Sequence, residues 1–378
     1  MLNKRFKDKK FCIRLVISSL ICFIFFMFIY FFNTGIEKVD LVNNEGTTFE
    51  KAIVQEIISD NIQEDGSRVG YQKVKLKIKS GELKGEVLEA TSNAGYLYGA
   101  DCVVGMKVIA KVSVSGENIV SSVYSYDRSF VVYCFVAFFL GLIWLIGGKN
   151  GFKSAIGLIF TFICIIFLFI PMLYKGFSPF LSAVTVCIAT TIVTMYLIGG
   201  YTKKTICAIL GTIFGVILAG VSAWAFGHFA KISGYNVSDI EELTFIASLT
   251  NLKVGELLFS GILIASLGAV MDVSMSIAST INEIHDKNPN LTSIELFKSG
   301  INVGRDMMGT MSNTLILAFT GGAISTLITI YSYNMQYNQV INMYSIGIEI
   351  MQGISGSIGI ILTVPIVSLI ASKMLKKN

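Results

Sequence analysis

From Phe130 onward the chain is a succession of apolar runs, near 130–147, 154–172, 178–198, 205–227, 257–281, 307–331 and 350–372, separated by short polar connections. Each is close to the roughly 20 residues that a helix needs to cross the hydrocarbon of a bilayer. A backbone in hydrocarbon must satisfy its own N–H and C=O groups, so runs of this length are expected to be helices. A further run, Leu15–Phe32, follows the cationic segment MLNKRFKDKKFCIR. It is long for a signal core, and the NTGIEKVD after it lacks a small-x-small cleavage site, so it reads as an uncleaved anchor. With 53% hydrophobic and 15% charged residues, the expected fold is an α-helical polytopic membrane protein of about eight transmembrane helices, not a soluble globular domain.

Between the anchor and the first run of the bundle lies the single sizeable polar segment, residues 34–127. In QKVKLKIKSGELKG, Val74, Leu76 and Ile78 alternate with Lys73, Lys75, Lys77 and Lys79 up to a turn, the pattern of a half-buried strand entering a hairpin. TTFEKAIVQEIIS before it and DCVVGMKVIAKVSVSGENIVSSVYS after it each have room for one or two strands. The expectation is a small antiparallel sheet or a five-stranded barrel, an all-β domain of the OB or SH3-like kind. The lysine row is read as a solvated strand face, offset by Glu82, Glu86 and Glu89, and not as a nucleic-acid surface. The expected organisation is thus an anchor over 1–33, a β domain over 34–127 and a seven-helix bundle over 128–378.

Threading the runs back and forth places Lys149, Lys153, Lys203, Lys204, Lys287, Lys298, Arg305, Lys373, Lys376 and Lys377 on one side, and Lys175, Lys231 and Lys253 in the short loops of the other. The excess of Lys and Arg marks the cytoplasmic side, so both termini are expected there and the β domain outside. Two connections carry capping-box spacing before an apolar stripe: Ser238 and Glu241 before Ile240–Leu249, and Thr292 and Glu295 before Ile294, Phe297 and Ile301. The first is expected to lie in the outer interface or to dip in as a re-entrant turn, the second to form a cytoplasmic elbow ahead of the span near 307–331. The seven cysteines are scattered and form no CxxC, and His228 and His285 lie far apart, so neither a metal nor a cofactor is expected.

One apolar run cannot be drawn without an ionisable residue in its middle, and that residue is Asp272. A carboxylate at the centre of a spanning helix costs about 2.5 to 3.5 kcal/mol on insertion scales, so such residues face a protein interior or water and mark function. Asp272, Ser276, Ser279 and Glu283 follow by four, three and four residues and share a face. The next span opens with Arg305 and Asp306 and continues through Thr310, Asn313 and Thr314. With the two helices antiparallel, the stripes fall in the same half of the membrane, where Asp272 is positioned to pair with Arg305 or to accept hydrogen bonds from Thr310 or Asn313. Glu283, Arg305 and Asp306 are expected nearer the cytoplasmic surface. Gly261, Ala265 and Gly268 in one helix and Gly300, Gly304 and Gly309 in the other are expected to let the two approach closely. GTIFG at Gly211–Gly215 and the series Gly353, Gly356, Gly359 are read as packing.

The two stretches GAVMDVSMSIASTINEI and GRDMMGTMSNTLILAFTGG resemble the YibE/F-like family of bacterial multi-pass membrane proteins, and the plan of anchor, β domain and seven-span bundle is similar to that family's. The resemblance implies a bacterial membrane or transport protein, with no established substrate or catalytic residue to carry over. A weaker likeness is to the RND superfamily, including the SecF component of protein export. It rests on an anchor, an outer domain, and an acid-bearing helix that meets an elbow and returns through a Gly/Thr-rich helix; two extra spans and a simpler acidic motif depart from that pattern.

The expected function is a permease, proton- or cation-coupled through Asp272. The alternative is a non-transporting scaffold or assembly factor whose β domain binds a protein or cell-envelope partner. An enzyme is not expected: a GxGD-type motif, a phosphate-binding loop, HExxH and GxSxG are all missing, so no catalytic residues are assigned. Partners are the lipid bilayer and that envelope component, with nucleic acid excluded and oligomeric state open.

Overall fold

The computed structural model describes residues 23–36, 46–64, 66, 69–93, 98–116 and 118–376. The cationic leader, residues 15–22 of the expected anchor, Cys12, Cys22 and Lys377 lie outside the described residues. Two compact units emerge, Asp40–Leu142 and the remainder, Met1–Val39 with Ile143–Asn378.

The first unit is built on a closed five-stranded barrel of β1 (Thr47–Ser59), β2 (Tyr71–Ile78), β3 (Val87–Asn93), β4 (Lys107–Ser115) and β5 (Asn118–Tyr126), in the order β1-β2-β3-β5-β4. The strand β1 pairs with both β2 and β4. Register shifts between Val54 and Glu56 and between Ile57 and Ser59 bend it, as bulges do, so that one strand serves two neighbours. Closure comes from a short parallel pairing of β3 with β5, where a purely antiparallel sheet would leave edges. The alternation in β2 is realised as the sequence predicts. Val74, Leu76 and Ile78 are fully buried while the lysines point outward, and Lys75 Nζ lies 2.7 Å from Glu56 Oε2 on the neighbouring strand. Buried Gln72 accepts from Cys102 N (2.8 Å) and donates to Cys102 O (3.3 Å) and Asp60 Oδ1 (3.1 Å), which ties the 100–102 segment to the barrel wall.

The remaining elements are helices: α1 (Phe23–Asn33), α2 (Ser129–Tyr174), α3 (Pro179–Gly199), α4 (Lys203–Ala230), α5 (Ile240–Leu249), α6 (Leu257–Lys287), α7 (Ser293–Gly322), α8 (Ile324–Ser332), α9 (Tyr337–Ile341) and α10 (Tyr344–Lys376). Among the described residues five are long and apolar enough to cross a membrane, or up to six if α7 and α8 form one span. That is fewer than the eight runs of the sequence, for three reasons, the first being that only Phe23–Asn33 of the anchor run is described. The 46 residues of α2 take up two of the runs, 130–147 and 154–172, joined at Gly148, whose φ of 54° and ψ of −129° are non-helical. The run expected near 307–331 is broken: α7 and α8 meet at 61° just after Gly321 and Gly322, two residues with the weakest hold on helical geometry.

The expected elbow is not a separate element. The capping box forms, with Thr292 Oγ1 accepting from Glu295 N (3.3 Å) and Glu295 Oε2 from Thr292 N (2.7 Å), but the helix it opens runs without interruption into the next span. Between Asn302 and Asp306 there is no proline, and Gly304 is packed against Val364. The other expected box, Ser238 with Glu241, does not form. Capping falls upstream, where Ser233 and Asn236 close a short turn, and α5 begins after Asp239 without a side-chain cap.

Glycine contacts set the core of the helical unit. A Cβ on Gly215 would collide with Thr363 of α10 and lie 2.7 Å from Val270 of α6; one on Gly220 would lie 2.6 Å from Leu263; one on Gly359 would lie 2.7 Å from Ala219. Hence α4, α6 and α10 approach one another at backbone distance. In α2 a π-helical turn over Ile165–Phe169 precedes Pro171. Proline has no N–H for the carbonyl four residues back, which is that of Phe167. Asn33 Nδ2 of α1 donates to this oxygen at 2.8 Å, and Phe25 packs on Phe160 with ring centroids 5.1 Å apart, so α1 is seated on this turn.

Candidate functional site

Asp272 is the central residue of α6, with fifteen residues on either side. At 1.5 Å per residue the helix is about 46 Å long, against roughly 30 Å of hydrocarbon. Wherever the bilayer is set along an upright α6, its central residue stays within the apolar layer.

The heights of the other polar groups follow from the contacts between helices. A Cβ on Gly300 of α7 would lie 2.7 Å from Ile281 Cδ1 of α6, so these two residues are level. Asp272 lies nine residues from Ile281 and Gly309 nine from Gly300, which in antiparallel helices puts both about 14 Å further along and level with each other. Thr310 and Asp306 then lie within about 5 Å of that height, and Arg305 and Asn313 within about 6 Å. The uninterrupted helix from Ser293 thus brings Arg305 and Asp306 to within about 6 Å of the height of Asp272. Glu283 does stay near the end of α6, where it pairs with Lys287 at 3.2 Å.

The two stripes do not pack against each other. Asp272, Arg305, Asp306, Thr310 and Asn313 are all exposed, while Ser276 and Ser279 are half-buried. Among the described residues the Asp272 carboxylate has no hydrogen bond and no ion pair, with Arg305 or any other group. Thr310 Oγ1 donates instead to its own helix, at Met307 O (3.0 Å) and Asp306 O (3.3 Å), and Thr314 Oγ1 donates to Thr310 O (2.9 Å). Asp306, Thr310, Asn313 and Leu317 recur by four, three and four residues and share one face, with Arg305 about 100° around the helix from Asp306.

The small residues divide in the same way. Gly300 and Gly304 serve the contact with Ser368 and Val364 of α10, not a contact with the Asp272 face. Gly261, Gly268 and Gly309 have nothing within 4 Å of where a Cβ would stand. Gly261, Ala265, Gly268 and Asp272 therefore form one open stripe on the outside of α6, the opposite of the close approach that the spacing suggested.

The helix break supplies residues that sequence reasoning undervalued. A cavity of about 380 Å³ is lined by Phe319, Thr320, Ala323, Leu327 and Glu349 among others. The sequence signal for it is the pair Gly321–Gly322. Glu349 stands here as the one carboxylate among apolar walls.

The family model described as YibE/F-like protein matches residues 135–377. The chain belongs to the YibE/F-like family. The match takes in α2 from residue 135 and every helix after it, including both polar stripes of this YibE/F-like protein, and excludes the barrel. No curated protein and no solved structure matches the chain.

Proposed function

We propose that this YibE/F-like protein is a membrane permease whose conducting element is the outer polar face of α6 and α7. The observation that carries the reading is the set of Asp272, Arg305, Asp306, Thr310 and Asn313 within about 6 Å of one height along α6 and α7, exposed and, for Asp272, without a partner. Hydrocarbon does not solvate such groups; they occur where water or a moving solute does. A carboxylate free of any fixed partner is able to bind and release a proton or cation in turn. The proposed host is the bacterial cell membrane, crossed eight times: by the anchor, by each half of α2 on either side of Gly148, by α3, α4, α6 and α10, and by the bent α7–α8 pair. Both termini are cytoplasmic and the barrel, with its OB-like strand order, lies outside.

The test is proton flux into sealed proteoliposomes loaded with a pH-sensitive dye, under an imposed pH gradient. Asp272→Asn is expected to abolish flux that the unaltered chain supports, and unchanged flux removes Asp272 from the mechanism.

A second reading is favoured by the exposed aromatic group on the barrel, where Phe49 and Tyr98 flank Tyr124 with ring centroids 5.0 and 5.8 Å away. Exposed aromatic side chains of this kind are enriched at protein interfaces. In this reading the protein is a scaffold whose barrel holds an envelope partner. Removal of residues 34–127 then abolishes its function while Asp272→Asn leaves it intact.

A further inference from the structure

We propose that the outer face of α6 and α7 is the seam of a homodimer, in which a second copy of this chain supplies the partners that Asp272 lacks. A mixed donor and acceptor face at the middle of a spanning helix requires either water or protein beside it. No element of the described chain supplies the protein. The helix α1 is seated elsewhere, on the π-turn of α2, through Asn33, Phe25 and the ammonium of Lys175 lying 4.1 Å from the ring centre of Phe32.

Two properties select a second copy over an unrelated partner. The first is self-complementarity. In a dimer whose two-fold axis runs along the membrane normal, each residue meets residues of its own height, because both copies sit at the same depth. The face carries acceptors, Asp272 and Asp306, and donors, Arg305, Thr310 and Asn313, within about 6 Å of one another in height. With α6 of one copy against α7 of the other, the partner's Thr310, the partner's Asn313 and the partner's Arg305 stand level with Asp272, and the same contacts repeat with the copies exchanged.

The second is shape. The inward glycines of the bundle, Gly211, Gly215, Gly220, Gly300, Gly304 and Gly359, each abut a neighbouring helix, whereas Gly261, Gly268 and Gly309 adjoin open space. Gly268 and Gly309 lie within about 6 Å of the height of Asp272, where a polar contact between chains needs the closest backbone approach. The outer face thus has the same construction as the inner seams, with its second half missing.

The proposal holds whether or not the face conducts, and its test reads contact, not transport. In the full-length protein in native membranes, Cys12, Cys22 and Cys134 are replaced by Ser, and Ala265→Cys is combined with Leu317→Cys, since the partner's Leu317 stands level with Ala265 in this arrangement. Copper-phenanthroline oxidation is then followed by non-reducing electrophoresis. Leu181→Cys, on an exposed position of α3, reports random encounter. A disulfide-linked dimer from the Ala265→Cys, Leu317→Cys chain well above the Leu181→Cys level is expected. Adding Asp272→Ala is expected to lower self-association of differently labelled copies in lipid about three- to tenfold, the range of one interhelical polar contact. Cross-linking of the Ala265→Cys, Leu317→Cys chain at the Leu181→Cys level overturns the proposal, and so does a monomer in lipid nanodiscs, with the groove filled by water or by another protein. Loss of proton flux in Asp272→Asn without cross-linking leaves the permease standing and removes the dimer; cross-linking with unchanged flux does the reverse.

Discussion

Two stripes of small residues in this protein read alike as sequence and do opposite things. Gly211, Gly215 and Gly220 of α4 are pressed against α6 and α10, so that a single added methyl group at Gly215 collides with Thr363. Gly261, Ala265 and Gly268 of α6 have comparable spacing, yet the two glycines adjoin empty space, and the next residue of the stripe is the unpartnered Asp272. The difference teaches that small-residue spacing records the possibility of close approach and not its direction. What separates the stripes is their company: the α4 stripe is flanked by apolar residues of the core, whereas the α6 stripe leads into a carboxylate.

The sharpest way to break that comparison is to fill both stripes. Gly215→Leu drives a side chain into Thr363 and Val270, and is expected to cost about 3 kcal/mol or more, read as loss of monodisperse protein on detergent size exclusion. The same substitution at Gly268 is expected to leave the fold of the single chain within about 0.5 kcal/mol of the original. Equal damage from both would mean that the outer face is packed after all.

The next effect concerns polar groups that have a partner, in contrast to Asp272. Asn33→Leu removes the amide that answers the Phe167 carbonyl left free by Pro171, and is expected to cost about 1 to 3 kcal/mol in thermal unfolding. Asp272→Leu, which strips no partner, is expected to leave the unfolding temperature of the detergent-solubilised chain unchanged or raised.

Smaller effects belong to the barrel, where charges are met by neighbours. The Ser129 hydroxyl donates to the Asp127 carboxylate and, with help from its backbone N–H and from the charges of Lys51 and Lys107, holds it below the usual carboxylate range. Because the folded value is depressed, the stabilisation is present above the unfolded carboxylate pKa of about 3.9 and is lost as pH falls through the lower folded value. Ser129→Ala is expected to move the Asp127 titration upward, as followed by carboxyl-carbon NMR. The smallest effect is that of Lys75→Ala. The hydrogen bond and charge of Glu56 hold the Lys75 ammonium above its usual pKa, but the pair is exposed, and no measurable change in barrel unfolding is expected.

The barrel was the more legible region because its signal is local. Alternation with period two specifies which side of β2 is inside without reference to anything distant, and Val74, Leu76 and Ile78 are buried accordingly. Its closure by the parallel β3–β5 pair was not legible, since it joins segments some thirty residues apart. In the bundle, periodicity placed Asp272 with Ser276 and Glu283 on one face, and that face exists. Helical spacing gives only relative angles, however, and the rotation of α6 that points the stripe outward is set by how Val270, Leu263 and Ile281 seat against α4 and α7. The height of Arg305 and Asp306 depended on whether the elbow stayed separate from the span, which the Thr292–Glu295 box alone does not decide.

The bond from Asn33 to Phe167 joins residues 134 positions apart. At the usual 5 to 20 residues per second, a ribosome needs on the order of ten seconds to make the stretch between them. During that interval the whole barrel is synthesised and the last turn of α1 waits without its final partner. The amide of Asn33 is therefore a latch that closes late. Assembly of the helical unit around α1 is ordered in time by the residue that Pro171 leaves unanswered, and a chain stalled before Phe167 would hold its first helix in the membrane by lipid contact alone.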